Sequence, residues 1–241
     1  MQVECYAESW PIAGTFTIAR GSKTAADVVV VKLQRNGFTG FGECVPYSRY
    51  NETVPQVLGA LEAVHNEITR LNYRNEIVTL PLPYAARNAL DCALWDLECK
   101  EANTSAFARA GIQNPQSLTT AFTLSLDNPE AMAAAAKAAS SRSLLKLKLG
   151  REGDEQRLAA IRAAVPNARL IVDANEGWGP DILTQMLSAC DRHGVELLEQ
   201  PLPADKDEAL RGLERKTIIC ADESAHGVES LNNLKGKYDA V

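Results

Sequence analysis

The feature that most constrains the fold is a regular alternation of short apolar strands and helical stretches that begins near residue 118. The strand-like segments read TTAFTLSL, LLKLKLG, RLIVDANEG, VELLEQPLP and TIICADES, and the closing YDAV looks like the opening of a sixth. Helical periodicity separates them near residues 129–141, 154–165, 180–193, 205–215 and 227–234. Alternation repeated about every 25 residues indicates parallel βαβ units, which close as a barrel or as a doubly wound sheet. The pattern alone leaves both closures open.

The first part of the chain has a different character. TFTIAR and DVVVVKLQRNGFTGFGEC alternate in strand fashion, and Asn36-Gly37 lies between two apolar runs as a hairpin signal. Two segments with helical spacing follow, ETVPQVLGALEAVHNEITRLN and PYAARNALDCALWDLECKEAN. The sequence therefore predicts an antiparallel α+β module ahead of the βα repeats.

Composition narrows the class of protein. The formal net charge is −6 with both signs mixed along the chain, which argues against nucleic-acid binding, and no apolar run reaches the roughly 18 residues of a membrane span. The N-terminus lacks the pattern of an export signal, and the six cysteines are scattered, so a cytoplasmic protein with reduced thiols is predicted. The three histidines lack zinc-ligand spacing.

Three consecutive strand-like segments end in an acid, namely Asp173, Glu199 and Asp222, at spacings of 26 and 23 residues. The carboxyl ends of neighbouring parallel strands meet at one edge, where barrel enzymes place their active sites. Three carboxylates there repel one another unless a hard dication lies between them, and an all-oxygen set suits Mg²⁺, with Mn²⁺ as the alternative. For Asp173 or Asp222 taken alone, a helix N-cap is an equally good interpretation.

The preceding strand carries two cations. Lys146 and Lys148 lie on one face of an extended chain, and the leucines between and beside them lie on the other. An exposed edge strand guarded by lysines is one interpretation. The other places both lysines beside the metal, where nearby positive charge would lower the pKa of Lys148 and let it act as a base. The chemistry would be proton abstraction from a carbon next to a carboxylate.

The K-x-K segment followed by Asp, Glu and Asp at the ends of the next three strands resembles the enolase superfamily, muconate-lactonizing subgroup. That superfamily is known for a Lys or His base used together with Mg²⁺. The resemblance implies an α/β fold with an N-terminal α+β capping domain, residues 1–115, and a modified (β/α) TIM-type barrel, incomplete over residues 116–241. Three further segments are most similar to dipeptide epimerases of the L-Ala-D/L-Glu type, namely FTIARGSKTAADVVVV, GFGECVPYSRYNET and AFTLSLDNPEAM.

The resemblance also implies roles for individual residues. Lys148 would be the acid/base catalyst, Lys146 would tune it, and Asp173, Glu199 and Asp222 would bind Mg²⁺. Arg20 and Thr123 would contact the substrate, although a solvated loop residue and simple strand propensity are the alternatives for these two. Asn175 and Glu223 would lie behind the metal ligands.

The expected activity is Mg²⁺-dependent epimerisation of a dipeptide through an enediolate. The expected binding partner is the small dipeptide substrate, and binding to nucleic acid or to a membrane is not expected. A homo-oligomer is possible. The family's second catalytic lysine and its acidic substrate motif would fall beyond Val241, so we expect this chain to be part of a longer enzyme. One alternative is an o-succinylbenzoate synthase or cycloisomerase of the same superfamily. Another is a catalytically silent metal- or ligand-binding relative.

Overall fold

The computed structural model describes all residues, 1–241. The chain forms two compact units. The first contains Met1–Ala13 and Thr24–Ser117, and the second contains Gly14–Lys23 and Leu118–Val241. The ten residues Gly14–Lys23 therefore belong to the second unit, although they lie within the range 1–115 that the sequence suggests for the first domain.

Three antiparallel strands form the sheet of the first unit, in the order β1-β2-β3. They are β1 (Gln2–Ile18), β2 (Gly21–Arg35) and β3 (Phe38–Cys44). Asn36 and Gly37 both have positive φ angles, 53° and 82°, and Arg35 pairs with Phe38. A two-residue turn with both central residues left-handed matches the twist of a hairpin, as the Asn-Gly pair predicts.

Four helices complete this unit: α1 (Val54–Ala63), α2 (His65–Arg70), α3 (Tyr84–Glu101) and α4 (Ala106–Arg109). The longest, α3, lies directly on β3, because Gly40 and Gly42 leave no room for a Cβ against the α3 backbone. A separate core of buried side chains from β2 and α3 fills the space beneath, including Val29, Val31 and Leu94.

The second unit contains a five-stranded parallel sheet in the order β4-β5-β6-β7-β8. Its strands are β4 (Phe122–Leu124), β5 (Leu144–Lys148), β6 (Arg169–Asp173), β7 (Val195–Glu199) and β8 (Ile218–Cys220). The helices between and after them are α5 (Pro129–Ala138), α6 (Asp154–Ala164), α7 (Pro180–Arg192) and α8 (Leu231–Leu234). The alternation and parallel pairing agree with the sequence prediction. No helix in the chain combines the length and apolar character needed to cross a membrane.

Two predicted elements differ from the structure. The helix expected near 205–215 is only a short 3₁₀ turn, Asp207–Leu210. Its first residue, Asp207, is buried and bonded to Lys237 and Ser224, and Gly212 has a φ angle of 68°, so the chain turns away before a helix can form. The sixth strand expected at YDAV is a single parallel bridge between Cys220 and Ala240.

The two faces of the parallel sheet differ sharply. On one face, Leu145, Leu147, Val172, Leu198 and Ile219 are completely buried in the core of the second unit. Side chains alternate along a strand, so Lys146 and Lys148 lie on the opposite face. The strand parity expected from SLLKLKLG is therefore confirmed.

Candidate active site

The candidate site lies at the carboxyl ends of the parallel strands. Lys148 is the register partner of Asp173, Asp173 is the partner of Glu199, and Glu199 is the partner of Cys220. Residues in register on parallel strands project to the same side of the sheet. One lysine and two carboxylates are thereby brought to one edge by backbone pairing, and Asp222 follows two residues after Cys220.

Lys148 is almost completely buried, with 9% of its surface exposed. Its ammonium Nζ donates to Asp173 Oδ2 at 2.5 Å and to Asn175 Oδ1 at 3.1 Å. The ring of Phe16 lies 5.9 Å from the same nitrogen. A buried ammonium needs such partners, because an uncompensated charge in the interior is costly.

Lys146 lies between two carboxylates. Its Nζ is 3.1 Å from Asp173 Oδ2 and 2.6 Å from Glu199 Oε2. Burial alone would lower the pKa of Lys146, but the negative charges of Asp173 and Glu199 outweigh it and raise the pKa above its ordinary value. In this arrangement Lys146 is a fixed cation within the carboxylate group.

The two carboxyls respond differently to the same surroundings. Burial raises the pKa of Asp173, but Lys148 and Lys146 outweigh this and hold it below its ordinary value. Burial and the negative charge of Asp173 raise the pKa of Glu199 to about 7. Lys146 opposes that rise, and Asp222 adds to it. Of these two carboxyls, Glu199 is therefore the one whose ionised form the surroundings disfavour.

The residues that could hold a metal have the right chemistry but are not assembled around one point. No group of three or more His, Cys, Asp or Glu side chains in the chain is arranged to hold a metal ion. The ammonium groups of Lys146 and Lys148 lie among the carboxylates instead. The crowded oxygen ligands and the raised pKa of Glu199 nevertheless fit a hard divalent cation, which would supply the missing positive charge.

Arg20 lies at the tip of the hairpin between β1 and β2, and it joins the site. Its Nη2 is 2.6 Å from Glu223 Oε1, and its Nη1 donates to the carbonyl oxygen of Asn175 at 2.7 Å and to Glu176 Oε2 at 3.2 Å. The alternative of a solvated loop residue does not match these contacts. Glu223 is 2% exposed, and its second carboxylate oxygen is buried without a hydrogen-bond partner.

The remaining predicted residues are close by. Asn175 donates its backbone N–H to Asp173 Oδ1 at 2.9 Å and its side-chain amide to Glu223 Oε1 at 3.4 Å, so it links the two carboxylates. Thr123 is the register partner of Lys146 and is half-buried. The structure thus brings the predicted residues to one edge, while their assigned roles stay predictions.

Sequence reasoning missed Glu176. Its carboxylate binds Arg20 and accepts the backbone N–H of Ala204 at 3.0 Å, so it connects the hairpin tip to the loop after β7. Asn175 and Glu176 have consecutive positive φ angles of 47° and 65°. Two adjacent non-glycine residues in the left-handed region are rare, and they mark a loop shaped for function. The Asn in DANEG was the available signal, since Asn tolerates that region well.

Residues 1–108 match the family model described as the mandelate racemase / muconate lactonizing enzyme N-terminal domain. Residues 130–237 match the model described as enolase C-terminal domain-like. The chain is 42% identical over 241 residues to the L-Ala-D/L-Glu epimerase of Escherichia coli (strain K12). The aligned region covers 99% of this chain and 75% of that protein.

Solved structures agree with these matches. An enolase family member from Agrobacterium tumefaciens with homology to dipeptide epimerases, with bound sodium and L-Ala-L-Glu, superposes with a TM-score of 0.95 at 45% identity. The match covers 99% of this chain and 73% of that one. A dipeptide epimerase from Enterococcus faecalis V583, complexed with Mg and L-Leu-L-Tyr, gives a TM-score of 0.91 at 31% identity, with 99% and 72% covered.

The chain therefore belongs to the mandelate racemase / muconate lactonizing enzyme family of the enolase superfamily, and it spans about three quarters of the length of the relatives named here. This confirms the predicted fold class, an N-terminal antiparallel module followed by part of a TIM-type barrel. Its relatives are epimerases, so the predicted isomerase class is confirmed as well.

Proposed function

We propose that this chain carries the catalytic centre of a Mg²⁺-dependent dipeptide epimerase, which inverts an amino-acid α-carbon by lysine-mediated proton transfer through an enediolate. L-Ala-Glu dipeptides are the first candidate substrates, because the E. coli relative is an L-Ala-D/L-Glu epimerase and the A. tumefaciens structure contains L-Ala-L-Glu. The observation that carries the proposal is the buried ammonium of Lys148, 2.5 Å from Asp173 at the carboxyl edge of the sheet.

Asp173, Glu199 and Asp222 would hold Mg²⁺, and the E. faecalis relative with bound Mg supports that choice of ion. Mn²⁺ has the same preference for oxygen ligands and is the alternative. When bound, the dication stabilises the negative charge that develops on a substrate carboxylate during proton removal. Lys146 and Lys148 lie among these carboxylates in the structure, so a bound cation would share Asp173 and Glu199 with their ammonium groups.

Lys148 would then take up or deliver the α-proton at its Nζ on one face of the substrate carbon, and inversion needs a second acid/base group on the opposite face. Lys146 would stay charged and keep the local potential positive. Arg20 would orient one end of the dipeptide from the hairpin tip, and Thr123, in register with Lys146, would line the same face of the sheet.

The decisive experiment is α-proton exchange in D₂O with Mg²⁺ and a panel of dipeptides, read by mass spectrometry and chiral chromatography. We expect deuterium to enter the α-carbon of an L-Ala-Glu dipeptide, and Lys148→Ala should block exchange of one stereoisomer, the one whose α-proton faces Lys148, while the other still exchanges. Lys146→Ala should still exchange, with its activity displaced to higher pH. Mg²⁺ binding without exchange of any dipeptide would favour the silent relative, and a cyclised or dehydrated product would favour the synthase or cycloisomerase.

A further inference from the structure

Gln200 directly follows Glu199 at the end of β7, and its side chain is completely buried. Its φ angle is 35°, so the chain turns sharply there with a non-glycine residue. A long polar side chain in the interior is costly unless all its donors and acceptors are satisfied. Gln200 meets this requirement through bonds to several separate segments.

The acceptor side of Gln200 holds the loop after β8. Its Oε1 accepts the backbone N–H of Asp222 at 2.9 Å and that of Ser224 at 3.0 Å. Its own backbone N–H donates to the carbonyl oxygen of Cys220 at 3.0 Å. These three bonds hold the backbone on both sides of Glu223. They therefore determine the positions from which the side chains of Asp222 and Glu223 project.

The donor side explains why the amide has this orientation. Nε2 lies within hydrogen-bond distance of three acceptors, the carbonyl oxygen of Leu202 at 2.9 Å, Ser224 Oγ at 2.9 Å and Tyr238 Oη at 2.8 Å, and its two hydrogens are shared among them.

Both hydroxyls can accept from Gln200 because each donates its own hydrogen to Asp207 Oδ2, at 2.9 Å from Ser224 and 3.2 Å from Tyr238. Asp207 is in turn paired with Lys237 at 2.6 Å. An ionised carboxylate only accepts, so Ser224 and Tyr238 both donate to Asp207, and the 3.0 Å contact between Ser224 Oγ and Tyr238 Oη then carries no hydrogen. The amide of Gln200 therefore has to present its oxygen to the β8 loop.

We infer that Gln200, oriented by Asp207, is the positioning residue that places Asp222 as a ligand and Glu223 as the anchor of Arg20. The inference rests on the proposed function for the identity of the metal and substrate, and on the contacts above for the positioning itself. Gln200 touches neither the reacting atoms nor the ion, so it acts through the loop that it holds.

The variant that isolates this role is Gln200→Glu. A carboxylate at the same place keeps an acceptor for the N–H groups of Asp222 and Ser224, but it cannot donate to the carbonyl of Leu202 and it faces Asp207. Ser224→Ala is the milder companion, since it removes one acceptor for Nε2 and one donor to Asp207 while leaving the amide in place.

Thr217→Val is the matched control. Thr217 is also buried, directly precedes β8, and donates its hydroxyl to Asp191 Oδ1 at 2.7 Å, at the end of the sheet away from the site. It loses a comparable buried hydrogen bond without touching the β8 loop. A merely structural role for Gln200 would lower stability in the same way that Thr217→Val does.

Three quantities are measured for each protein: thermal unfolding, amide hydrogen exchange of residues 220–224 without metal, and Mg²⁺ affinity by calorimetry. We expect exchange of these amides to rise at least tenfold in Gln200→Glu and about threefold in Ser224→Ala, with Mg²⁺ affinity reduced in the same order. Thr217→Val should leave both unchanged. At equal losses of thermal stability, unchanged exchange and affinity in both site variants would overturn the inference.

The two proposals fail separately. If the wild-type protein bound no Mg²⁺, the metal part of the proposed function would be wrong, while the exchange of residues 220–224 would still decide whether Gln200 positions the loop. If Mg²⁺ bound normally to wild type, and Gln200→Glu matched wild type in both Mg²⁺ affinity and the exchange of residues 220–224, the positioning role would be wrong and the proposed function would stand.

Discussion

At the amino-terminal ends of the parallel strands the charge of Arg162 is held by neutral backbone oxygens, whereas at the carboxyl ends the charges of Lys146 and Lys148 are held by carboxylates. The guanidinium of Arg162 donates to five carbonyl oxygens that lead into β6 and β7, those of Val165, Pro166, Ala168, His193 and Gly194. At the other end, two ammonium groups share Asp173 and Glu199.

The two ends of the sheet therefore stabilise their charges in different ways. Carbonyl acceptors belong to the backbone and stay in place, so the bonds of Arg162 fix two loops. The charges at the carboxyl end compensate only one another, so a change in one of them alters all the others. Such a group of charges can respond to a ligand, whereas the clamp of Arg162 cannot.

The largest expected effect is at Lys148. Lys148→Met keeps the length of the side chain and removes its amine, and we expect α-proton exchange to fall by about 10³-fold, since one general base is worth 10²–10⁴. Stability should fall as well, because Asp173 and Asn175 lose a buried donor although Lys146 still pairs with Asp173, so exchange is measured at a temperature where the variant is folded. If a folded Lys148→Met protein exchanged the α-proton at the wild-type rate, Lys148 would not be the base. The lysines of β5 would then only protect an edge strand.

Glu199→Gln is expected next in size. The amide keeps the volume of the side chain but removes a charged ligand, so Mg²⁺ affinity should fall by at least about 100-fold, since losing even a group that only supports the ligands costs about 10–100-fold. Calorimetric titration measures it. Arg162→Met, which leaves the carboxyl end intact, serves as the control. Equal Mg²⁺ affinity in wild type and Glu199→Gln would remove Glu199 from the ligand set.

Arg162→Met tests the other end of the sheet. Five carbonyl oxygens lose a charged donor, and we expect the free energy of unfolding to fall by about 2 kcal/mol, since a hydrogen bond to a charged group is worth about 1.5–3 kcal/mol and water replaces part of what is lost. Denaturant unfolding reports this. A loss of Mg²⁺ affinity in the same variant would show that the two ends are coupled.

Arg20→Ala should chiefly raise KM, by about tenfold, because the loss of one charge-assisted contact to substrate corresponds to roughly 1.4 kcal/mol. Arg20→Lys should recover only part of that effect, since a lysine cannot contact Glu223 and Glu176 in a fixed fork. Steady-state kinetics of wild type, Arg20→Ala and Arg20→Lys measure these changes in KM. A large loss of thermal stability with unchanged kinetics would make Arg20 structural.

The smallest effect concerns His193, beside the clamp of Arg162. Burial, assisted by the positive charges of Arg192 and Arg162, lowers the pKa of His193 below its ordinary value. The folded state then binds fewer protons than the unfolded state, so stability falls as the pH drops through the range just below 6.5. The change should stay well below about 1 kcal/mol, because solvent screens the ring. Thermal unfolding of His193→Gln at several pH values should show a flatter profile over that range than wild type does.

Much of the site follows from periodicity. The two-residue period of a strand places Lys146 and Lys148 on one face, and the position of an acid directly after an apolar run places Asp173 and Glu199 at one edge. Both depend on local sequence and on backbone pairing, which the chain specifies over five residues at a time.

The parts that could not be predicted depend on contacts between loops that are distant in sequence. Glu176 meets Arg20 across 156 residues, and Gln200 meets Tyr238 across 38. No periodicity or spacing in the sequence predicts either contact. The helix expected near 205–215 was wrong for the same reason, because a buried pair between Asp207 and Lys237 overrides the local helical pattern.

The hairpin tip Gly14–Lys23 lies early in the chain but belongs to the second unit, and this has a consequence for how such proteins can diversify. A recombination event that exchanged the first 117 residues between two relatives would also exchange Phe16 and Arg20. The recipient would keep its own lysines and strand-end carboxylates but acquire a foreign arginine opposite Glu223. The arginine at the hairpin tip and the charged residues at the strand ends could then be inherited from different parents, within an unchanged sheet.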